Sequence, residues 1–214
     1  MIFPNFDIEQ ELARDNLIIA GIDEAGRGCL AGPLSVGMVI YDPMLFGQIL
    51  PEGMCIINDS KKLTHEKRLY AYDIIKNCSR YHSCCFVSSK YIDKENINIA
   101  TQYAIEQLLI SSPLKPDILI IDGNYKFDLH LPYISIIKGD SKSLTIASAS
   151  IVAKVKRDAL MDEYENIYHG YGFNSNKGYG TKKHIMMIEK SISPIHRKSY
   201  EPVKSLYKIS AENV

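Results

Sequence analysis

The chain has no tryptophan, no net charge and no long hydrophobic run: its 214 residues carry 25 Lys+Arg against 25 Asp+Glu. Nothing approaches the 18 or more apolar residues of a membrane span. The first twenty residues hold acids and no uninterrupted apolar h-region, so no signal peptide is expected. The five cysteines form no CxxC pair; scattered among apolar neighbours, they are expected to be reduced, buried thiols of a cytosolic protein. Six dispersed histidines give no HExxH, and no G-x-x-x-x-G-K-[ST] exists, so zinc and Walker A signatures are both missing. The zero balance also removes the basic footprint that usually marks a nucleic-acid partner.

With 46 % hydrophobic and 23 % charged residues, the chain has the composition of one soluble domain with a single core, which excludes disordered and fibrous classes. LIIAGID (17–23) and LSVGMVIY (34–41) are short apolar runs separated by a glycine-rich stretch, which predicts two antiparallel strands. A helix is expected from Thr64 as N-cap, then a strand in YHSCCFVS, a helix in ENINIATQYAIEQLLI, and strands in DILIID (117–122) and YISII (133–137). SLTIASASIVAKVKRDALMDEYENIY has the length of a long helix. Its run of small residues from Ala147 to Ser150 would let the sheet approach closely. GYGFNSNKGYG, a short helix TKKHIMMIEKS and a basic tail follow. The order of elements predicts an α/β protein, a mixed sheet flanked by helices, with a core over 1–165 and a small C-terminal helical extension over 166–214 in one structural unit.

Acids stand at three strand ends: Asp23 and Glu24 after LIIAGI, Asp122 after ILII, and Asp140 just past ISIIKG. Neighbouring strand ends lie side by side, so carboxylates distant in sequence can meet at one edge of a sheet. So many carboxylates stay ionised together only with a cation among them, and all-oxygen ligation suits Mg²⁺ or Mn²⁺. Two such ions roughly 3.5 to 4 Å apart would form a phosphodiester hydrolysis site. Taken singly, each acid reads as a strand-end or turn former; the repeated context of apolar strand, acid and glycine favours the joint reading. Asp23 and Glu24 are adjacent and would face opposite ways on a regular strand, so both serving one site calls for a strand break, which Gly26 and Gly28 would allow.

Gly26-Arg27-Gly28-Cys29-Leu30-Ala31 also matches a dinucleotide fingerprint, G-x-G-x-x-A, although Pro33 and a β-rich run follow where a helix should open. NDSKK (58–62) and KGDSKS (138–143) join cations to small hydroxyls at loop-to-helix junctions, which is phosphate-contacting chemistry or an ordinary solvated helix start. GYGFNSNKGYG suits stacking on a sugar or base, or packing on the core.

GIDEAGRGCLAGP (21–33), DSKKLT (59–64), IDG (121–123), KGDSKS with ASASIVAKVKRD (138–158) and YGF…KGYGT with PIHRKSYEPV (171–203) together resemble bacterial ribonuclease HII, in order and over nearly the whole chain. The resemblance implies a ribonuclease H-like fold and a metal-dependent endonuclease. It would hydrolyse the RNA strand of RNA–DNA hybrids and incise at single ribonucleotides in duplex DNA, leaving 5′-phosphate and 3′-hydroxyl ends. Asp23, Glu24, Asp122 and Asp140 would be the catalytic metal ligands for two Mn²⁺ or Mg²⁺ ions. Gly26, Arg27, Gly28 and Tyr179 would recognise the ribonucleotide junction, with Lys61 and Lys142 as phosphate contacts. It further implies a cytoplasmic monomer with no membrane partner, acting in ribonucleotide excision repair and DNA replication. A non-catalytic nucleic-acid-binding module of the same fold would be expected to have lost acids, and all four are present. The first motif begins close to Met1, which leaves no room for the extra N-terminal domain of ribonuclease HIII. Two departures stand out: Cys29 replaces the family's usual proline and is expected to loosen the turn, and ASAS replaces an alanine-richer run without touching a ligand.

The charge balance is a cancellation. Residues 138–208 carry 13 Lys/Arg and 7 Asp/Glu, a net of +6, and the rest carries −6. An acidic, metal-collecting part thus opposes a basic C-terminal half that would grip phosphates, predicting binding that weakens as salt rises.

Overall fold

In the computed structural model, which describes residues 3–13 and 17–212, five strands form one mixed sheet in the order β3-β2-β1-β4-β5. They are β1 (Ile19–Ala25), β2 (Leu34–Ile40), β3 (Tyr81–Val87), β4 (Ile118–Asp122) and β5 (Tyr133–Ile136). The first three pair antiparallel, as the short glycine-rich connection requires, while β4 and β5 run parallel to β1. All seven residues of β2 are buried, which explains why its sequence is apolar without alternation.

Helices cover both faces. On one lies α5 (Leu144–Ile167), with α2 (His65–Cys78) beside it; on the other lies α4 (Ile97–Ser111). The small-residue run of α5 does let the sheet approach. A Cβ at Gly37 would stand 2.3 Å from the Ala149 carbonyl oxygen, and one at Gly21 would stand 2.7 Å from the Thr145 carbonyl carbon. Residues 144–153 are all buried, between the sheet and the elements that cover the outer side of the helix. Ser148 donates its hydroxyl to the Leu144 carbonyl and accepts from the buried Tyr41 hydroxyl at 2.9 Å, giving each a partner inside the core.

Capping follows the expected chemistry. Thr64 accepts from the Lys67 amide at the start of α2, and Ser143 accepts from the Ile146 amide at the start of α5. Upstream, α1 (Asp7–Leu12) sends the buried Glu9 to the same end of α5, where it accepts from Ser143 Oγ and the Thr145 amide. The helix expected over ENINIATQYAIEQLLI is interrupted at its start. The short α3 (Ser89–Glu95) ends, Asn96 takes φ +74°, and α4 begins, its first amides bonded to the Asn96 side chain. The two bonds from the Asn98 and Ile99 amides to the Asn96 side chain cap α4 at once.

The cysteines are all free, but only Cys29 is fully buried; Cys55 is exposed and Cys78, Cys84 and Cys85 lie between, contrary to the expectation of buried thiols. No helix among the described residues is long and apolar enough to cross a membrane. Beyond α5 come α6 (Phe173–Asn176), α7 (Lys182–Lys190) and α8 (Val203–Glu212). They join the rest of the chain through an isolated Ala31–His196 bridge and through Leu30, whose amide donates to the Gly178 carbonyl at 2.8 Å.

Candidate active site

The carboxylates converge where β1 outruns β4. Along β1 successive side chains alternate: Ile19, Gly21 and Asp23 face α5, whereas Ala20, Ile22 and Glu24 face the opposite layer. The parallel register with β4 ends at Ile22–Ile121, one residue short of Asp23 and Asp122. β1 itself continues unbroken, with Glu24 opposite Val36 and Ala25 opposite Ser35. The strand break expected at Asp23-Glu24 is therefore absent. It is not needed, because past the end of β4 a side chain from either face can reach the same space. Both acids line one cleft with Asp122.

Asp140 arrives by another route. After β5, Lys138 takes a left-handed conformation at φ +55° and Gly139–Ser141 make a single tight turn, which buries Asp140. The Gly139 amide donates to Asp122 Oδ1 at 2.6 Å, fixing the two acids to each other. Carboxylate oxygens of Asp23, Asp122 and Asp140 lie within 4.8 Å of one another.

Electrostatics mark the cluster as strained. Burial, then the charges of Glu24 and Asp122, raise Asp23 well above the carboxylate range, opposed by a hydrogen bond from Ser150. Burial lifts Glu24 to about 7 despite Arg27, with Asp122 adding to the rise. Asp140 stands at about 6, through burial and the charges of Asp59 and Asp122. Lys61 lies among them; burial disfavours its charge, but Asp23, Asp140, Asp59 and Asp122 outweigh it and raise its pKa. Glu24 Oε2 is buried with no hydrogen-bond partner. An orphaned carboxylate oxygen beside three crowded carboxylates, with only oxygen donors present, fits a hard divalent cation.

Beside the acids, the Gly26–Gly28 turn is held from below by two fully buried arginines. Arg197 donates to the carbonyls of Gly26 (2.7 Å), Arg27 (2.7 Å) and Gly32 (3.1 and 3.2 Å). Arg157 donates to those of Pro33, Lys177 and Ala31. Gly26, at φ +87°, leaves no room for a Cβ, which would sit 2.0 Å from Arg157 Nε. The Arg27 guanidinium stacks 4.4 Å over Tyr125 and bonds to Asn98 and Thr101, so its side chain is held within the protein. Gly28 is exposed, with open space where a Cβ would stand. The amides of Arg27 and Gly28 make no hydrogen bond among the described residues.

Tyr179, 44 % exposed, lines the same cleft as Asp23, Glu24 and the turn. Cys29 is fully buried, and its thiol approaches the Lys177 carbonyl at 3.6 Å, linking the turn to the Tyr179 loop. Of the two lysines expected at phosphates, Lys61 is central and Lys142 is exposed outside the cleft, its place taken by Lys62 and Lys138. Of the basic half's cations, Arg157 and Arg197 are internal and Lys154 and Lys177 are ion-paired, so less of the +6 faces a ligand than the count suggested. Ser150, in the run expected to touch no ligand, touches Asp23, and its hydroxyl also meets Ser60 Oγ at 2.8 Å. Sequence reasoning missed Ser150, Asp59, Tyr125 and the buried arginines; a helix-face projection of ASASIVAKVKRD onto the strand carrying Asp23 would have found the first. The dinucleotide reading fails, since the turn leads into β2 and opens no helix.

A five-stranded mixed sheet with carboxylates gathered near the ends of β1 and β4 and just past β5 has the ribonuclease H-like fold. A solved ribonuclease H2 from Pyrococcus horikoshii OT3 shares the fold at a TM-score of 0.77, with 23 % identity over 92 % of this chain and 100 % of that one. The family model for ribonuclease HII matches residues 20–203. Ribonuclease HII from Mycoplasma mycoides subsp. mycoides is 44 % identical over 95 % of this chain and 96 % of its own length. The protein from Enterococcus faecalis is 41 % identical over 92 % and 75 %. The chain belongs to the ribonuclease HII family, endoribonucleases that act on RNA–DNA hybrids.

Proposed function

We propose that this chain hydrolyses the RNA strand of RNA–DNA hybrids and incises at single ribonucleotides embedded in duplex DNA, leaving 5′-phosphate and 3′-hydroxyl ends. The supporting observation is the meeting of Asp23, Asp122 and Asp140 within 4.8 Å, beside an exposed glycine turn and Tyr179. Asp23, Glu24, Asp122 and Asp140 would hold two divalent ions, Mn²⁺ or Mg²⁺. Bound there, such ions supply Lewis acidity to activate a water and stabilise the leaving 3′-oxygen.

The protein's own groups do the rest. The free amides of Arg27 and Gly28 meet the 2′-hydroxyl, the group that separates RNA from DNA. Tyr179 stacks on the adjoining sugar. Lys61, flanked by four acids, keeps its charge and balances a phosphate in the cleft, with Lys62 and Lys138 ahead of Lys142 as further contacts. The 166–214 extension braces the turn through Arg197. In the cell the enzyme would act as a cytoplasmic monomer in ribonucleotide excision repair and DNA replication.

The test is Asp122→Asn on a duplex carrying one ribonucleotide, with EDTA and with added Mn²⁺. Cleavage is expected to fall about a thousandfold, the worth of several kcal/mol of transition-state stabilisation, while folding and duplex binding persist. Wild-type rates in the variant, or in EDTA, would overturn the proposal.

A further inference from the structure

Behind the Tyr179 loop, two fully buried histidines share a hydrogen bond, His184 Nε2 to His196 Nε2 at 3.1 Å. They lie in an aromatic cage: Phe173 meets His184 edge-on at 5.3 Å, and Tyr171 packs on His196 at 4.9 Å. Neither belongs to the cleft, and the chemistry above uses neither.

The two ends of the pair determine its protons. The Ser193 backbone amide, which can only donate, meets His196 Nδ1 at 3.0 Å and makes that nitrogen the acceptor; Ser193 Oγ lies 2.7 Å away and the Ser193 carbonyl oxygen, the longest contact, 3.2 Å. His196 therefore carries its proton on Nε2 and donates to His184 Nε2. His184 is left with its proton on Nδ1, and Nδ1 lies 2.8 Å from the Tyr179 carbonyl, which can only accept. One neutral arrangement satisfies every group. A second proton on either ring would set two donors face to face at one of these contacts. Burial, then His184, hold His196 down to about 4, and burial lowers His184 as well.

The chain of bonds joins two places. His196 pairs with Ala31, and its neighbour Arg197 holds the Gly26 and Arg27 carbonyls; His184, in the first turn of α7, grips the residue that carries the exposed tyrosine. We propose that His184 and His196 are positioning residues that set Tyr179 against the Gly26–Gly28 turn, so that ring and turn take one ribonucleotide between them. This rests on the reading of Tyr179 as a substrate contact.

The experiment is a double-mutant cycle of His184→Phe with Tyr179→Ala, measured as KM and kcat on the single-ribonucleotide duplex. His184→Phe keeps the ring and removes the donor. It is expected to raise KM about fivefold to tenfold, the worth of about one hydrogen bond, with kcat within about twofold. In the Tyr179→Ala background it is expected to add nothing. An unchanged KM, or an equal rise with Tyr179 already gone, would overturn the proposal, the latter being the mark of a merely structural role. A Tyr179→Ala variant indistinguishable from wild type would instead remove the reading of Tyr179, and the proposal with it. Should His184→Phe not fold, ¹⁵N spectra of the wild-type imidazoles decide: Nδ1–H on His184 and Nε2–H on His196 are expected, and the opposite tautomer or a charged ring near neutral pH refutes the arrangement.

Discussion

Replacing Glu24 by glutamine is expected to stabilise the metal-free enzyme while ending its activity. The Glu24 side chain is only 10 % exposed and its carboxyl stands at about 7 in place of the ordinary 4.5, raised by burial and by Asp122 against the pull of Arg27. The folded pKa lies above the unfolded one, so the stability this group contributes is fully present below the unfolded value and is lost as the pH climbs through 7. The full loss is about 3 kcal/mol. Glutamine abolishes it, at a cost of about 1 kcal/mol for an amide buried short of partners. The net gain of about 2 kcal/mol in mildly alkaline EDTA corresponds to a Tm rise of about 4 to 8 °C for a chain of this size, and it vanishes in acid. Added Mn²⁺ reverses the order, since wild type alone keeps the full ligand set; at a hundred times Kd the metal is worth about 2.7 kcal/mol to it. Scanning calorimetry of both proteins, with EDTA and with Mn²⁺, at acid and alkaline pH reads all of these. A variant no more stable than wild type in alkaline EDTA, or equally stabilised in acid, would refute the reasoning.

Ser150→Ala removes the hydrogen bond that lowers Asp23, so the cluster gives up its protons to metal only at higher pH; the acid limb of the pH–rate profile is expected to move up by about half a unit to one unit. Gly37→Ala drives a methyl to 2.3 Å from the Ala149 carbonyl oxygen and is expected to cost about 3 kcal/mol, read as a Tm lower by about 6 to 12 °C. Gly28→Ala, with open space around it, is expected to stay within about 0.5 kcal/mol of wild-type stability in the same assay. Arg197→Met strips the donors from two carbonyls of the turn and from that of Gly32, and is expected to cost about 4 kcal/mol in urea unfolding, with a higher KM for ribonucleotide duplexes.

Local pattern determined the elements. The apolar runs of β1, β2 and β4, the Thr64 and Ser143 caps and the small-residue face of α5 were all readable in the sequence, because each depends on residues within a few positions of one another. The three aspartates were legible for the same reason: each stands at or near the end of a strand, and strand ends share an edge. Tertiary structure decided which groups meet from far away. Arg197 reaches Gly26 across 171 positions, Ser35 bonds to the Ala153 carbonyl across 118, and Ser150 reaches Asp23 because α5 lies close on β1 and β2, each with one glycine where the helix backbone approaches. Lys142 points away from the cleft because it follows the tight turn after β5, and Lys62 lines it from the separate loop before α2, a meeting that composition does not encode. Glu24 shares the site without a strand break because β4 stops short, a property of β1's neighbour rather than of β1. Sequence thus determined which chemistry the chain carries, and packing decided which groups meet to use it, since convergence depends on sheet order and not on spacing along the chain.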